Sequence, residues 1–408
     1  MNRPAEERLL IDEVPAAGLA SVCLAFPGPE TTESPGRFGW CGLLFEILRA
    51  GGGRVPEDEV LDRFDGWGGG LRTAVTHSMA ALRYDCLPDR LPESLDLLFR
   101  IVGPGTVPAE LLERETAART AVLEEERDDP ASDGLLRVRE RCFGETPLAF
   151  SPLGRERDLR GADAAGIHAF ADAVLRPSSA VLAISGSVRL EEIRERATGF
   201  LGGGGPGEDR DQRKKCGFAG EPFRDAVRHQ RRQTVVVQAF PAAGAASDGF
   251  RVQSLLAGCL NGLAGPLFSE IRERHGLAYY SSVRLALGRF DGLLAFVSGC
   301  EEKRAGFLVE EIGRILRRFG TEGPAPAEFE AAVEQARAGL RFGRQRTDWR
   351  AVRMASRALL GLEADTGGSD EVFLAGAEAS ALRDWCAARL DPENGSELRM
   401  VPSPAVPS

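Results

Sequence analysis

The sequence predicts an α+β chain of two homologous units, each an antiparallel sheet with helices packed on one face, joined by a glycine-rich linker. Three observations predict it. The chain has 408 residues, enough for two or three domains with sizeable cores. Each half opens on a strand-like run, passes through helices and closes on a proline turn followed by a strand, RPSSAVLAISG at 176–186 and DPENGSELRMVP at 391–402. Between the halves, 201–230 breaks the pattern with four consecutive glycines, a proline and dense charge, the composition of an interdomain linker. The expected division is therefore 1–200, a linker at 201–230, and 231–408.

The elements follow in order. Residues 9–28 read as a polar lead-in and a strand, with Leu19, Ser21 and Cys23 alternating against Ala20, Val22 and Leu24. PGPETTESPGRFG is a loop dense in proline and glycine. WCGLLFEILR, 40–49, is a helix that is apolar nearly all round and should be buried. Glu46 within it needs a partner, a function, or a place at a wet edge of the helix. The cluster Gly66, Gly68, Gly69 and Gly70 lacks the Gly-Lys-Ser/Thr ending of a phosphate loop and reads as a turn into strands 71–79 and 80–87. Leu91, Leu95, Leu98 and Ile101 form one stripe of a helix over 91–102. Helices follow at 108–126, 131–142 and 162–175, then a buried strand at 180–185. After the linker come a strand in RRQTVVVQAFP, a helix at 250–261, a strand at 289–299, and helices at 303–319, 326–346, 348–360 and 379–389.

Composition narrows the function. The chain is 43% hydrophobic and 27% charged, with a formal net charge of −10. That acidity is unsuited to nucleic acid, which needs a basic face. No run of 18 apolar residues suggests a membrane span, and MNRPAEERLLIDEVP has no apolar signal core. Cys23, Cys41, Cys86, Cys142, Cys216, Cys259, Cys300 and Cys386 are scattered, with no C-x-x-C pair. They read as free, mostly buried thiols in a reducing cytoplasm.

One stretch concentrates chemical potential, FSEIRERHGLAYYSS at 268–282. Its first half is a helical stripe that Gly276 ends, and its second half is a strand. Arg272 precedes Tyr279 by seven residues across the turn. A cation and a phenol so placed can hold a peptide carbonyl and its developing oxyanion. On spacing alone the plainer reading, a surface arginine and a half-buried strand tyrosine, is the commoner one.

This stretch resembles the R-x-x-x-G-L-A-Y segment in the C-terminal half of the pitrilysin and mitochondrial processing peptidase (insulinase-like) family, zinc peptidases with an inverted H-x-x-E-H motif. Other landmarks extend the resemblance over nearly the whole chain: PGRFGWCGLLFEILRAGG, ARTAVLEEERDDP, FGETPLAFSPLG, RPSSAVLAISG and QTVVVQAF. Placed on that frame, the five motif positions fall on Gly42, Leu43, Leu44, Phe45 and Glu46. A zinc peptidase needs two imidazoles one helical turn apart and a glutamate base between them. Glycine offers no ligand and phenylalanine no base. The third-ligand glutamate is retained as Glu125, and two carboxylates without imidazole suit zinc poorly. The four histidines, His77, His168, His229 and His275, are never within 40 residues of one another, so no shift of register restores the motif. The L-N-A run with which active members pair substrate as an added strand reads Leu71, Arg72, Thr73 here.

The resemblance implies a non-catalytic subunit of a heterodimeric zinc peptidase. This chain would have no cofactor of its own. It would supply Arg272 and Tyr279 in trans to the zinc of an H-x-x-E-H partner that hydrolyses peptides, with leader or precursor processing among the candidate roles. The alternative is a pseudo-peptidase homodimer that holds peptides or serves a structural role.

Overall fold

A computed structural model describes residues 4–203, 217–218 and 221–403. Ten strands form two five-stranded sheets. The first contains β1 (Leu9–Glu13), β2 (Ala20–Pro27), β3 (Arg72–Val75), β4 (Met79–Cys86) and β5 (Val181–Gly186), in the order β1-β5-β2-β4-β3. The second contains β6 (Arg224–His229), β7 (Thr234–Ala243), β8 (Ala278–Leu287), β9 (Asp291–Cys300) and β10 (Ser396–Pro402), in the order β6-β10-β7-β9-β8. The two orders are the same topology written twice, as the repeated endings of the two halves foretell. Each sheet is antiparallel except for one pair. The first strand of each unit lies parallel to its last, β1 along β5 and β6 along β10.

The chain forms two compact units that are not contiguous in sequence. Among the described residues, one comprises those within 1–123, 150–214 and 342–367, the other those within 124–149, 215–341 and 368–408. A division at 201–230 alone does not foresee this exchange, in which each unit takes one segment from the other side of the linker. In the first unit, β2, β4 and β5 bury one face against a core that includes Phe26, Leu44, Phe45, Leu95, Leu98 and Phe170. Helix Thr347–Leu359 covers the opposite face, where Ala351, Met354 and Ala355 pack against Cys23, Ala25, Ala81 and Ala183. In the second unit, β7 and β9 face the core of Leu256, Ile271, Leu308, Ile312 and Phe319. Helix Pro130–Phe143 packs on the other face of that sheet. Gly134 permits the approach, since a Cβ there would meet Met400 Cγ at 3.0 Å and Val237 Cγ2 at 3.1 Å.

The exchanged helices explain why the central strands do not alternate. β2 is buried at seven consecutive positions, the pattern of a strand covered on both faces. Helices therefore lie on both faces of each sheet, one more layer than the sequence suggests. Part of the expected linker is also structured. Helix Leu190–Gly202 runs to its start, and Arg224–His229 is β6. β6 is an edge strand with mostly exposed charged side chains, which protect an edge and hide a strand from a hydrophobicity reading. Residues 204–216 and 219–220 of the expected linker lie outside the described residues.

Candidate functional site

Helix Trp40–Arg49 carries the five motif positions, and its first unit is built around it. Gly39, at φ 99°, turns the chain into the helix. The Glu33 carboxylate then accepts from the backbone N–H groups of Gly39, at 3.0 Å, and Cys41, at 2.8 Å. It thereby satisfies donors that a helix start leaves free, and its charge suits the positive end of the helix dipole. Phe45, at the position of the general base, is fully buried, with its ring edge-on to Phe26 at 6.0 Å between centroids. Glu46 sits at the wet edge of the helix. It accepts from Thr73 Oγ1 at 2.6 Å and from Arg49 Nε at 2.8 Å. Thr73 belongs to the edge strand β3, whose Arg72 pairs with Asp85. Two side chains of the Leu71-Arg72-Thr73 run are thus committed within the unit.

Gly42 is the informative position. A Cβ there would lie 1.9 Å from Nη2 of Arg119 and 2.5 Å from its Cζ. Arg119 comes from helix Ala109–Asp128 and is only 9% exposed. Its Nε donates to the Leu153 carbonyl at 2.9 Å and its Nη2 to the Pro152 carbonyl at 2.5 Å. Burial pushes its pKa down, while the charges of Glu33, Glu46 and Cys41 act to raise it. The loop that supplies the two carbonyls is pinned in turn. Arg155 N donates to the Phe38 carbonyl at 3.2 Å, and Gly154 (φ 99°) abuts Gly39 so closely that a Cβ on it would fall 2.2 Å from the Gly39 Cα.

These residues do not fit zinc. The first ligand position has no side chain and its space holds a guanidinium, and the one carboxylate of the motif is already engaged. The histidines are placed elsewhere. His77 is buried against the Phe150 carbonyl at 3.0 Å, His168 lies 3.7 Å from Asp172, His229 Nδ1 accepts from Arg231 N, and His275 lies 3.7 Å from Glu311. Among the described residues, no three His, Cys, Asp or Glu side chains converge as a possible metal site.

Burial also pushes the Glu33 carboxyl up, to about 7, against the pull of its two N–H bonds and Arg119. Its folded pKa thus lies above the ordinary 4.5. The sign follows from linkage: the folded state holds the proton more tightly, so stability is greatest below about 4.5 and declines as pH rises to about 7. Glu33→Gln is expected to flatten that decline in a series of urea melts across this range. An unchanged slope would remove Glu33 from the account.

The second unit presents the Arg–Tyr stretch. Leu267–Arg274 is a π-helix and not the α-helix its stripe suggests. Such segments are rare and are frequently found at functional sites. Leu267 and Ile271 anchor it in the core, leaving Arg272 exposed with its guanidinium 5.5 Å from the centroid of the Phe268 ring. Gly276, at φ 57°, turns the chain into β8, the edge strand of its sheet. The pairing of β8 with β9 shifts register between Ala278 and Tyr280. Tyr279 is the residue left out of the ladder, and it is 62% exposed. A bulge re-aims a side chain in this way. Tyr279 is thus not the half-buried strand tyrosine of the plainer reading.

The sequence offers little notice of Tyr280, whose ring lies over Gly299, where a Cβ would meet Tyr280 Cε1 at 2.4 Å. Burial pushes its phenol pKa up, and Asp129 adds to the effect. Tyr280, Glu125, Asp128, Asp129, Arg231 and Gln233 line part of a recess of about 480 Å³ within the second unit. Glu125 is exposed there. Arg119 and Glu33 are also absent from the sequence reading. The available signal for Arg119 is Gly42 itself, since glycine inside an apolar helix costs about 1 kcal/mol relative to alanine and needs a packing reason.

Comparison with known proteins agrees with the two-unit fold. Residues 162–336 match the family model described as the Peptidase M16 inactive domain. An uncharacterised zinc protease of Mycobacterium leprae is 26% identical over 351 residues, covering 83% of this chain and 77% of that protein. One from Rickettsia bellii is 21% identical over 324 residues, covering 78% and 77%. Among solved structures, a peptidase M16 inactive domain from Pseudomonas fluorescens superposes with a TM-score of 0.83 at 17% identity, covering 98% of this chain and 97% of that one. A chain of Complex III2 from Candida albicans superposes at 0.79 with 14% identity, covering 96% and 93%. The match over 162–336, the relatives and the fold all agree with the resemblance of the chain's motifs to the M16 peptidases.

Proposed function

We propose that the chain is the non-catalytic subunit of a two-chain zinc peptidase and lends Arg272 and Tyr279 to the active site of an H-x-x-E-H partner. The observation that carries this reading is the contrast between the units. Among the described residues the first has no ligand set for zinc, whereas the second displays an exposed phenol on a bulge and an exposed guanidinium on a π-helix. No hydrogen bond engages either side chain among the described residues. Groups left unpaired at the surface are available to a substrate carbonyl. The substrate class is peptide, since a phenol and a guanidinium both donate to the oxyanion of amide hydrolysis.

A cytoplasmic setting suits the seven described cysteines, all buried free thiols. No described helix is long and apolar enough to cross a membrane. The likeness to a chain of Complex III2 supports a second reading, a structural role without hydrolysis, because the shared fold alone does not carry activity. Reconstitution separates the two. The first reading expects this chain and a zinc-bearing partner to co-elute in gel filtration and to cleave peptide only together. Two separate peaks, or a partner whose turnover ignores this chain, favour the second.

A further inference from the structure

We infer that the metal position of the first unit is closed as well as unliganded, and that the Arg119 guanidinium is the fixed cation that closes it. The steric part is direct. Any side chain at position 42 would start 1.9 Å from Arg119 Nη2, so neither an imidazole nor even a methyl group fits beside it. The guanidinium is the mobile end of a long side chain, but here it is tethered. Its bonds to the Pro152 and Leu153 carbonyls hold it, and it is 9% exposed. Moving it aside would break two charged hydrogen bonds and leave a cation buried without partners.

The electrostatic part points the same way. Glu33 and Glu46 act on Arg119 through their charges, yet neither forms an ion pair with it. Glu46 is paired with Arg49, and Glu33 is bonded to backbone N–H groups. A divalent cation placed here would meet a monovalent one already seated among those carboxylates. Arg119 also links three segments: it rises from helix Ala109–Asp128, lies against helix Trp40–Arg49, and is held by the 152–153 carbonyls. Where a metal would join such segments through its ligands, this chain uses an arginine and a glycine that makes room for it.

A double-mutant cycle on the full chain tests the pairing. Gly42→Ala alone is expected to lower Tm by roughly 5–10 °C, because the methyl displaces the guanidinium. In an Arg119→Ala background the same substitution is expected to raise Tm, because the space is vacant and alanine is the better helix former. If Gly42→Ala alone does not fold, recovery of folding in the double variant gives the same answer. An equal change in both backgrounds would overturn the inference. A second arm uses zinc itself as the probe, with Gly42→His/Glu46→His placing two imidazoles one turn apart. Zinc is expected to raise Tm when Arg119→Ala is also present and to leave it unchanged when Arg119 is retained. Zinc stabilisation with Arg119 in place, or none after its removal, would contradict the proposal.

Discussion

Replacing Tyr279 with phenylalanine is expected to lower peptide turnover by the assembled two-chain enzyme about a hundred- to a thousand-fold, without weakening assembly. The estimate is the effect of removing one oxyanion donor, about 2.7–4 kcal/mol. The structure supplies the reason that folding should survive. Tyr279 is outside the β8–β9 ladder and 62% exposed, so its hydroxyl contributes neither a strand pairing nor a buried contact. Arg272→Ala should behave similarly, with some extra loss from its contact with Phe268. The measurement is turnover of one peptide by each mixture, read beside gel filtration of the same samples. Unchanged turnover in both variants would reduce this chain to a scaffold. Tyr280→Phe is the informative control, because that ring packs over Gly299 and belongs to the recess with Glu125.

A large stability effect is expected at Gly154. Two penalties combine there. The backbone is left-handed at φ 99°, which costs a residue with a Cβ about 1–2 kcal/mol. A Cβ would also fall 2.2 Å from the Gly39 Cα and 2.5 Å from the Phe38 carbonyl oxygen. Those are backbone atoms at the start of the motif helix and cannot rotate away. Gly154→Ala should therefore cost more than about 4 kcal/mol, at the severe end for a point substitution. Gly144→Ala isolates the first penalty, because Gly144 has φ 59° and no atom within 4 Å of its would-be Cβ. It should cost only about 1–3 kcal/mol. Urea melts of the two variants give the comparison, and equal losses would mean that the approach of the 152–155 loop to Gly39 is not tight.

Much of this was legible from residue patterns. The stripe Leu91, Leu95, Leu98 and Ile101 reads directly as a helix because that face is covered and the other is not. The dead motif is legible because chemistry there depends on identity alone: glycine has no side-chain ligand and phenylalanine cannot act as a base in any fold. The exchanged helices are less legible. Helix Thr347–Leu359 carries an ordinary amphipathic pattern, and nothing local says which sheet its Ala351 and Met354 will meet. β6 is hidden by the charges that protect its edge. The bulge at Tyr279 and the π-turn before it depend on register against β9 and on the anchoring of Leu267 and Ile271, both set by long-range packing. Arg119 is obscured for a further reason. A lone arginine on a long helix reads as solvated, and only its meeting with Gly42, distant in sequence, makes it a buried cation.

The most direct test of the account is peptide hydrolysis by this chain purified alone, by a zinc-bearing H-x-x-E-H partner alone, and by an equimolar mixture of the two. The account predicts turnover in the mixture and none from this chain by itself, with or without added zinc. Hydrolysis by this chain alone that is abolished by a chelator and restored by zinc would contradict it.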